Sequence, residues 1–148
     1  MANAQTIILH QFDRSPFSEI IRLALRMKNL AWAAVEIPSI MPKPDLTPLT
    51  GGYRRTPVMQ IGADVYCDTQ LMLVELERRN KIPLLNLPGH EGLNKIVGAW
   101  VDGKWFQTSV GVIFAEVGHM MPKEFIDDRT KMSGRPFDIE VMKAAAPF

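Results

Sequence analysis

The spacing of hydrophobic positions changes along the chain, and the changes mark out its elements. Thr6–Phe12 (TIILHQF) is a short, β-branched apolar run that reads as a buried strand. Asp13–Arg14–Ser15–Pro16 follows. Serine then proline is a helix start, with Ser15 able to cap and Pro16 suited to the first helical position. Phe17, Ile20, Ile21, Ala24, Leu25 and Met27 recur at helical spacing. They predict a helix of about three to four turns, ended by Asn29. Ala31–Ile37 reads as a second strand, and the helix between is long enough for a right-handed crossover joining parallel strands.

Pro38–Gly52 holds four prolines and two glycines, so it reads as loop with a short helix near Asp45–Leu49. Pro57–Ile61 (PVMQI) is a third strand, Gly62–Ala63–Asp64 a turn, and Val65–Cys67 a fourth strand, antiparallel to the third. A proline costs a ladder hydrogen bond, so Pro57 at the head of a strand asks for a reason. Asp68 opens another helix, with Leu71, Met72, Val74 and Leu76 directed to the core and the charged ERRN closing it at Asn80. Residues 1–80 therefore read β-α-β, loop, β-β-α: an α/β unit with a mixed sheet.

Lys81–Pro88 (KIPLLNLP) lacks alternation and carries two prolines, as a linker does. Residues 89–148 read as all-α. Leu93, Ile96, Val97, Trp100, Val101 and Trp105 keep helical spacing up to about Val117, and Met120–Met121–Pro122 breaks it. Pro136–Phe148 restarts a helical pattern that shows neither cap nor partner, so this region reads as incomplete. Trp100 and Trp105, five apart, do not share one narrow helical stripe. Their bulk suits packing between domains or a share in a small-molecule pocket.

Composition narrows the function classes. With 148 residues, 47% hydrophobic and 22% charged, the chain reads as an ordinary globular protein of one domain or two small ones. A formal net charge of +1 supplies no field for nucleic acid or a membrane surface, so neither is expected as a partner. No run approaches the ~20 apolar residues of a membrane span. The N-terminus lacks a basic leader ahead of a long apolar stretch, so the expected compartment is the cytoplasm. Cys67 is the single cysteine, and the three histidines, His10, His90 and His119, are scattered, so no metal is expected. Cys67 reads as a half-buried strand-end residue, with reactivity from the following helix N-terminus as the alternative. His10 reads as core or edge. No Walker loop or GxGxxG is present.

The ordered set SPFSEIIRLAL, RRTPVMQIG and CDTQLMLVELE, on a β-α-β-β-α frame followed by helices, resembles the cytosolic glutathione transferase family of serine type. The resemblance covers Thr6–Asn80 well and Gly89–Val117 loosely. It implies a thioredoxin-like N-terminal domain with an all-α region after it. It puts Ser15 where serine- and cysteine-type members keep the residue that meets the glutathione sulfur. Thr56–Pro57 falls on a cis-proline position whose preceding backbone pairs with the cysteinyl part of glutathione. Asp68–Thr69 falls on the acid–hydroxyl pair that holds the γ-glutamyl end. Arg55 or Arg54 lies near positions that reach the glycyl carboxylate. The implied activity is detoxifying conjugation of glutathione, as co-substrate, to a hydrophobic electrophile by a homodimer. A scaffold that keeps the fold without turnover is the alternative.

Elementary chemistry agrees with these roles. A thiol near a helix N-terminus meets free N–H groups and the positive end of the dipole, which favour thiolate. A hydroxyl that donates to the sulfur adds one more bond to the charged form. Ser15 as a plain N-cap is the competing reading, and Ser18, second in an SxxS that echoes CxxC, is its nearest rival. Neither serine can exchange disulfides. Tyr53 and Tyr66 are the only tyrosines, and neither is near the first strand.

Overall fold

The computed structural model describes residues 6–145. They form two compact units, one ending at Leu85 and the next beginning at Asn86. The first is built on a four-stranded sheet in the order β2-β1-β3-β4. β1 (Ile7–Gln11) runs parallel to β2 (Trp32–Glu36) and antiparallel to β3 (Val58–Ile61), which pairs antiparallel with β4 (Asp64–Cys67). The parallel pair is joined by helix α1 (Pro16–Met27), and helix α3 (Thr69–Arg79) follows β4. A single turn of helix, α2 (Thr47–Thr50), interrupts the long loop before β3.

Alternation along the strands separates two apolar layers. Ile7, Leu9, Met59 and Ile61 pack with Ile21, Ala24 and Leu25 of α1 and Met72 and Leu76 of α3. On the opposite face, Val58 joins Ile37 and Leu46, with Tyr53, Val65 and Cys67 against them. The one-residue offset between Val58 and Met59 assigns them to opposite faces, as the strand period requires. The β3–β4 connection is shorter than its sequence suggests. Only Gly62 and Ala63 lie in the turn, and Asp64 already belongs to β4. Gly62, at φ +64°, supplies the positive φ that the first turn position of a type II′ hairpin needs.

Two helical stripes differ from the expected ones. On α3 the buried residues are Thr69, Met72, Glu75 and Leu76, while Leu71 and Val74 are exposed. Positions 72 and 76 share a stripe with 69 and 75 at helical spacing, and 71 and 74 belong to a different one. On α1, Met27 is likewise exposed. Glu75 tolerates burial because Tyr66 Oη donates to Oε1 at 3.1 Å and Arg78 grips both carboxylate oxygens at 2.8 Å. Arg79 also donates to Oε1. Buried Lys28, at the end of α1, is paired with Glu77 at 2.7 Å and donates to the carbonyls of Asn80 and Pro83. Since a buried ammonium is tolerated only when paired and hydrogen-bonded, this cluster ties the segment after α3 to α1.

The second unit is helical. α4 (Glu91–Trp100) passes through a π-helical turn, Val101–Trp105, into α5 (Phe106–Val117), and a 3₁₀ turn (Gly118–Met120) follows. The π turn overrules the expected separation of the tryptophans. Its i to i+5 geometry aligns Trp100 with Trp105, and their ring centroids lie 5.6 Å apart. α6 (Lys123–Ser133) occupies a stretch to which the apolar pattern assigned no helix, because its charged residues leave few apolar positions. α7 (Ile139–Ala145) has both the cap and the partner that its sequence did not reveal. Asp138 accepts from the N–H groups of Glu140 (3.0 Å) and Val141 (3.2 Å). Ile139 lies so close to Gly118 that a Cβ there would come within 2.7 Å of it. Phe114, Phe125 and Phe137 form an aromatic cluster, with Arg129 stacked 4.4 Å above the Phe125 ring. Residues 146–148, the end of the expected Pro136–Phe148 segment, lie outside the described residues.

The Glu75 cluster makes the first unit sensitive to acid. Hydrogen bonding from Arg78 foremost, with Arg79 and Tyr66 added, outweighs burial and lowers the Glu75 carboxyl from 4.5 to about 2. A folded-state pKa below the unfolded one gives stability that is present above pH ~4.5 and lost as pH falls toward ~2. Glu75→Gln should lower stability at neutral pH by on the order of 1 kcal/mol after solvent screening. It should also flatten the acid limb of a denaturation series between those values. An acid limb identical to the parent's would show that the cluster does not act this way.

Candidate functional site

Strand register brings the candidate residues to one end of the sheet. His10 pairs with Val58, and Val58 with Cys67, so these three form one row across β1, β3 and β4. The next residue outward on each strand is Gln11, Pro57 and Asp68. Three chain segments therefore leave the sheet side by side: Phe12–Ser15 into α1, Thr56–Pro57 into β3, and Asp68–Thr69 into α3. Both helices begin there, so two capped helix N-termini, each with its positive dipole end, meet at the same rim.

Each segment has a local reason for its shape. Ser15 is 3% exposed and caps α1, its Oγ accepting from Ser18 N–H at 3.1 Å while Pro16 takes the first helical position. Ser18 is fully buried one turn on, and its Oγ has no hydrogen-bond partner among the described residues. The Thr56–Pro57 bond is cis, and Pro57 is buried just before the ladder starts at Val58. The proline therefore costs no ladder hydrogen bond.

Asp68 caps α3 with one oxygen, Oδ1 accepting from Gln70 N–H (2.8 Å) and Leu71 N–H (3.3 Å). Its backbone sits at φ +85°, ψ +126°, sparsely populated for any residue but glycine. Asp68 is exposed at the rim, while Thr69 behind it is 7% exposed.

A cation that the sequence reading did not single out joins this rim. Lys43, 4% exposed, donates through Nζ to Thr56 Oγ1 (2.7 Å) and to the Arg54 carbonyl (3.0 Å). It props the segment ahead of Pro57 and leaves a positive charge beside Thr56. The one sequence signal was its place between two prolines, Pro42 and Pro44, which restrict the backbone around it. Arg55 is exposed, and Arg54 lies half-buried. Tyr53 lies near Arg55, Asp68 and Cys67. Burial foremost raises the Tyr53 hydroxyl above its ordinary pKa, so it stays protonated at neutral pH. Burial also pushes the Cys67 thiol up, against the thiolate that reactivity would need. His10, 7% exposed, bonds through Nε2 to Gln60 Oε1 at 3.2 Å, a core arrangement. Among the described residues no group of three or more His, Cys, Asp or Glu is placed to hold a metal, and no helix is long and apolar enough to cross a membrane.

This frame, a thioredoxin-like α/β unit followed by a helical one, defines a fold class that comparison makes specific. Residues 9–90 match the family model for the N-terminal domain of glutathione S-transferase, more than half of the 148 residues. The chain belongs to the glutathione S-transferase family. A GST-like protein from Pseudomonas syringae is similar at 40% identity and a TM-score of 0.70, over 97% of this chain and 45% of that one. A glutathione S-transferase from Rhodospirillum rubrum F11 is similar in fold at 20% identity and a TM-score of 0.69, over 94% of this chain and 60% of that one. Rice GST1, solved in complex with glutathione, is similar in fold at 18% identity and a TM-score of 0.67, over 89% of this chain and 60% of that one. The chain thus spans 45–60% of the lengths of these relatives. No curated protein matches it.

The Asp68 cap separates stability from any ligand role. Asp68→Ala should destabilise the protein by about 1 kcal/mol, since it removes the acceptor for two helix N–H groups. Asp68→Asn keeps an acceptor and a residue type tolerant of positive φ, and should stay within about 0.5 kcal/mol of the parent. Chemical denaturation of the two variants checks this, and equal stability of Asp68→Ala and parent would contradict it.

Proposed function

We propose that the first unit binds reduced glutathione at this sheet end and that the protein transfers its thiolate to an electrophilic small molecule. The observation that carries the proposal is the row His10–Val58–Cys67, because it gathers three polar segments and two helix N-termini into one rim within a glutathione S-transferase N-terminal domain. In this reading Ser15 Oγ–H donates to the glutathione sulfur while its lone pair keeps the cap bond to Ser18; a hydroxyl has the capacity for both. The backbone of Thr56, ahead of Pro57, pairs with the cysteinyl part. Asp68 receives the α-ammonium through Oδ2, the oxygen not engaged in capping. Thr69, at the positive end of the α3 dipole, receives the γ-glutamyl carboxylate through its hydroxyl. The glycyl carboxylate meets Arg55, with Lys43 adding positive charge beside Thr56.

The chemistry follows from the thiolate. Bound glutathione loses its S–H proton to solvent, and two helix dipoles and the Ser15 hydroxyl stabilise the anion left behind. The sulfur lone pair forms a C–S bond to the electrophile. A leaving group departs with its electron pair or, in an addition, the adjacent atom takes a proton from water. We further propose a hydrophobic electrophile, a cytoplasmic location and a homodimer, supported by family membership. The domain assignment proposed is a glutathione-binding domain over 1–80, a linker over 81–88 and a helical region over 89–148.

The decisive experiment pairs binding with ionisation. The protein should be retained on immobilised glutathione and released by free glutathione. Asp68→Asn should weaken glutathione binding by about tenfold, the order expected for a lost charge-assisted hydrogen bond, without loss of stability. Ser15→Ala should raise the apparent thiol pKa of bound glutathione by about one unit and slow conjugation of an aromatic electrophile at least tenfold. Conjugation by Ser15→Ala at the parent rate would sink the role given to Ser15. Glutathione binding without conjugation would favour the scaffold.

A further inference from the structure

The loop that delivers Ser15 is gripped by side chains from two elements, Glu36 of β2 and Arg22 of α1. Asp13, midway between β1 and the cap, has both peptide groups held. Its N–H donates to Glu36 Oε1 at 3.3 Å, and its carbonyl accepts from Arg22 Nη2 at 3.0 Å. Gln11 closes the ring between these two grips. Its Nε2 donates to Glu36 Oε2 at 3.3 Å, and its Oε1 accepts from Arg22 Nη1. Glu19 holds the same guanidinium through Nε at 2.6 Å. The ring is possible because Gln11 and Glu36 are direct partners in the parallel β1–β2 register, while Arg22 sits on α1 above them. Gln11 is 4% exposed, so its amide needs these partners. Beyond Asp13, Ser15 N–H bonds back to the Phe12 carbonyl at 3.0 Å, leaving the loop little freedom.

We infer that Arg22, acting with Gln11 and Glu36, is a positioning residue for Ser15. Its guanidinium sets the Asp13 peptide, and that peptide sets the direction of the Ser15 hydroxyl at the head of α1. None of the three need touch glutathione. The planar fork of arginine suits the task, because it reaches Gln11, the Asp13 carbonyl and Glu19 at once, which a lysine ammonium does not match in geometry. Hydroxyl-to-sulfur bonding is directional, so a loosened loop should weaken that bond while leaving the anchors at Asp68 and Thr56 intact. This inference rests on the proposed role of Ser15 as donor to the glutathione sulfur.

The experiment titrates the thiol of bound glutathione, by its thiolate ultraviolet absorbance, in the parent, Ser15→Ala, Arg22→Met and Gln11→Met, with glutathione affinity measured alongside. Arg22→Met also deletes a positive charge, whereas Gln11→Met breaks the ring without changing charge. Both should raise the bound thiol pKa by about half a unit to one unit, with affinity changed less than about threefold. Parent-like values for both ring variants alongside a raised value for Ser15→Ala would overturn the positioning role and leave Ser15 as donor. A shift in Arg22→Met but not in Gln11→Met would overturn it too, as an effect of charge alone. A parent-like value in Ser15→Ala would overturn the donor reading itself, and the inference with it.

Discussion

β1 has neighbours running in opposite directions, and the register it keeps with each decides where every candidate ligand group lies. Its parallel pairing with β2 sets Gln11 opposite Glu36. Its antiparallel pairing with β3, carried on to β4, sets His10, Val58 and Cys67 in one row. A slip of one residue in either ladder would turn every side chain of the displaced strand to the other face. The packing of Leu9, Met59 and Ile61 against α1 and α3 therefore guards the site as much as the core. The rim is a consequence of sheet register, and the polar residues on it add chemistry to a place that the apolar ones fix.

Capping and ligand binding draw on the same groups here. Ser15 and Asp68 each satisfy helix N–H groups, and each is a proposed ligand for glutathione. Asp68 does so from a backbone conformation that few non-glycine residues adopt. Such a residue persists when its surroundings over-determine it, and two cap bonds from a single oxygen supply much of that. The second oxygen takes no part in these cap bonds, so the proposed ligand role does not compete with the helix. Lys43 plays a parallel part on the neighbouring segment, where its ammonium supports Thr56 and adds charge beside it.

Much of this was legible in the sequence, for identifiable reasons. Serine–proline, threonine–proline and aspartate–threonine each occupy a boundary whose chemistry is local, so residue type and order were enough to locate them. What escaped were relations between elements. Glu75 is buried in place of Leu71 and Val74 because Tyr66 on β4, with Arg78 and Arg79, satisfies it, and no helical pattern contains that information. The Gln11–Arg22–Glu36 ring joins residues as much as 25 positions apart, and Lys43 meets Thr56 across 13. Trp100 and Trp105 align only because a π-helical turn changes the period between them. α6 carries too few apolar positions to announce itself, and α7 owes its cap to Asp138, just outside its first turn.

A backbone amide NMR titration with reduced glutathione would locate the binding site directly. The largest shifts should fall together on residues of the three segments at one sheet end: Asp13 to Ser18, Arg54 to Thr56, and Asp68 to Leu71. Saturating shifts centred on the opposite end of the sheet, around Gly62 and Asn29, would contradict it, as would no shift at any of the three segments.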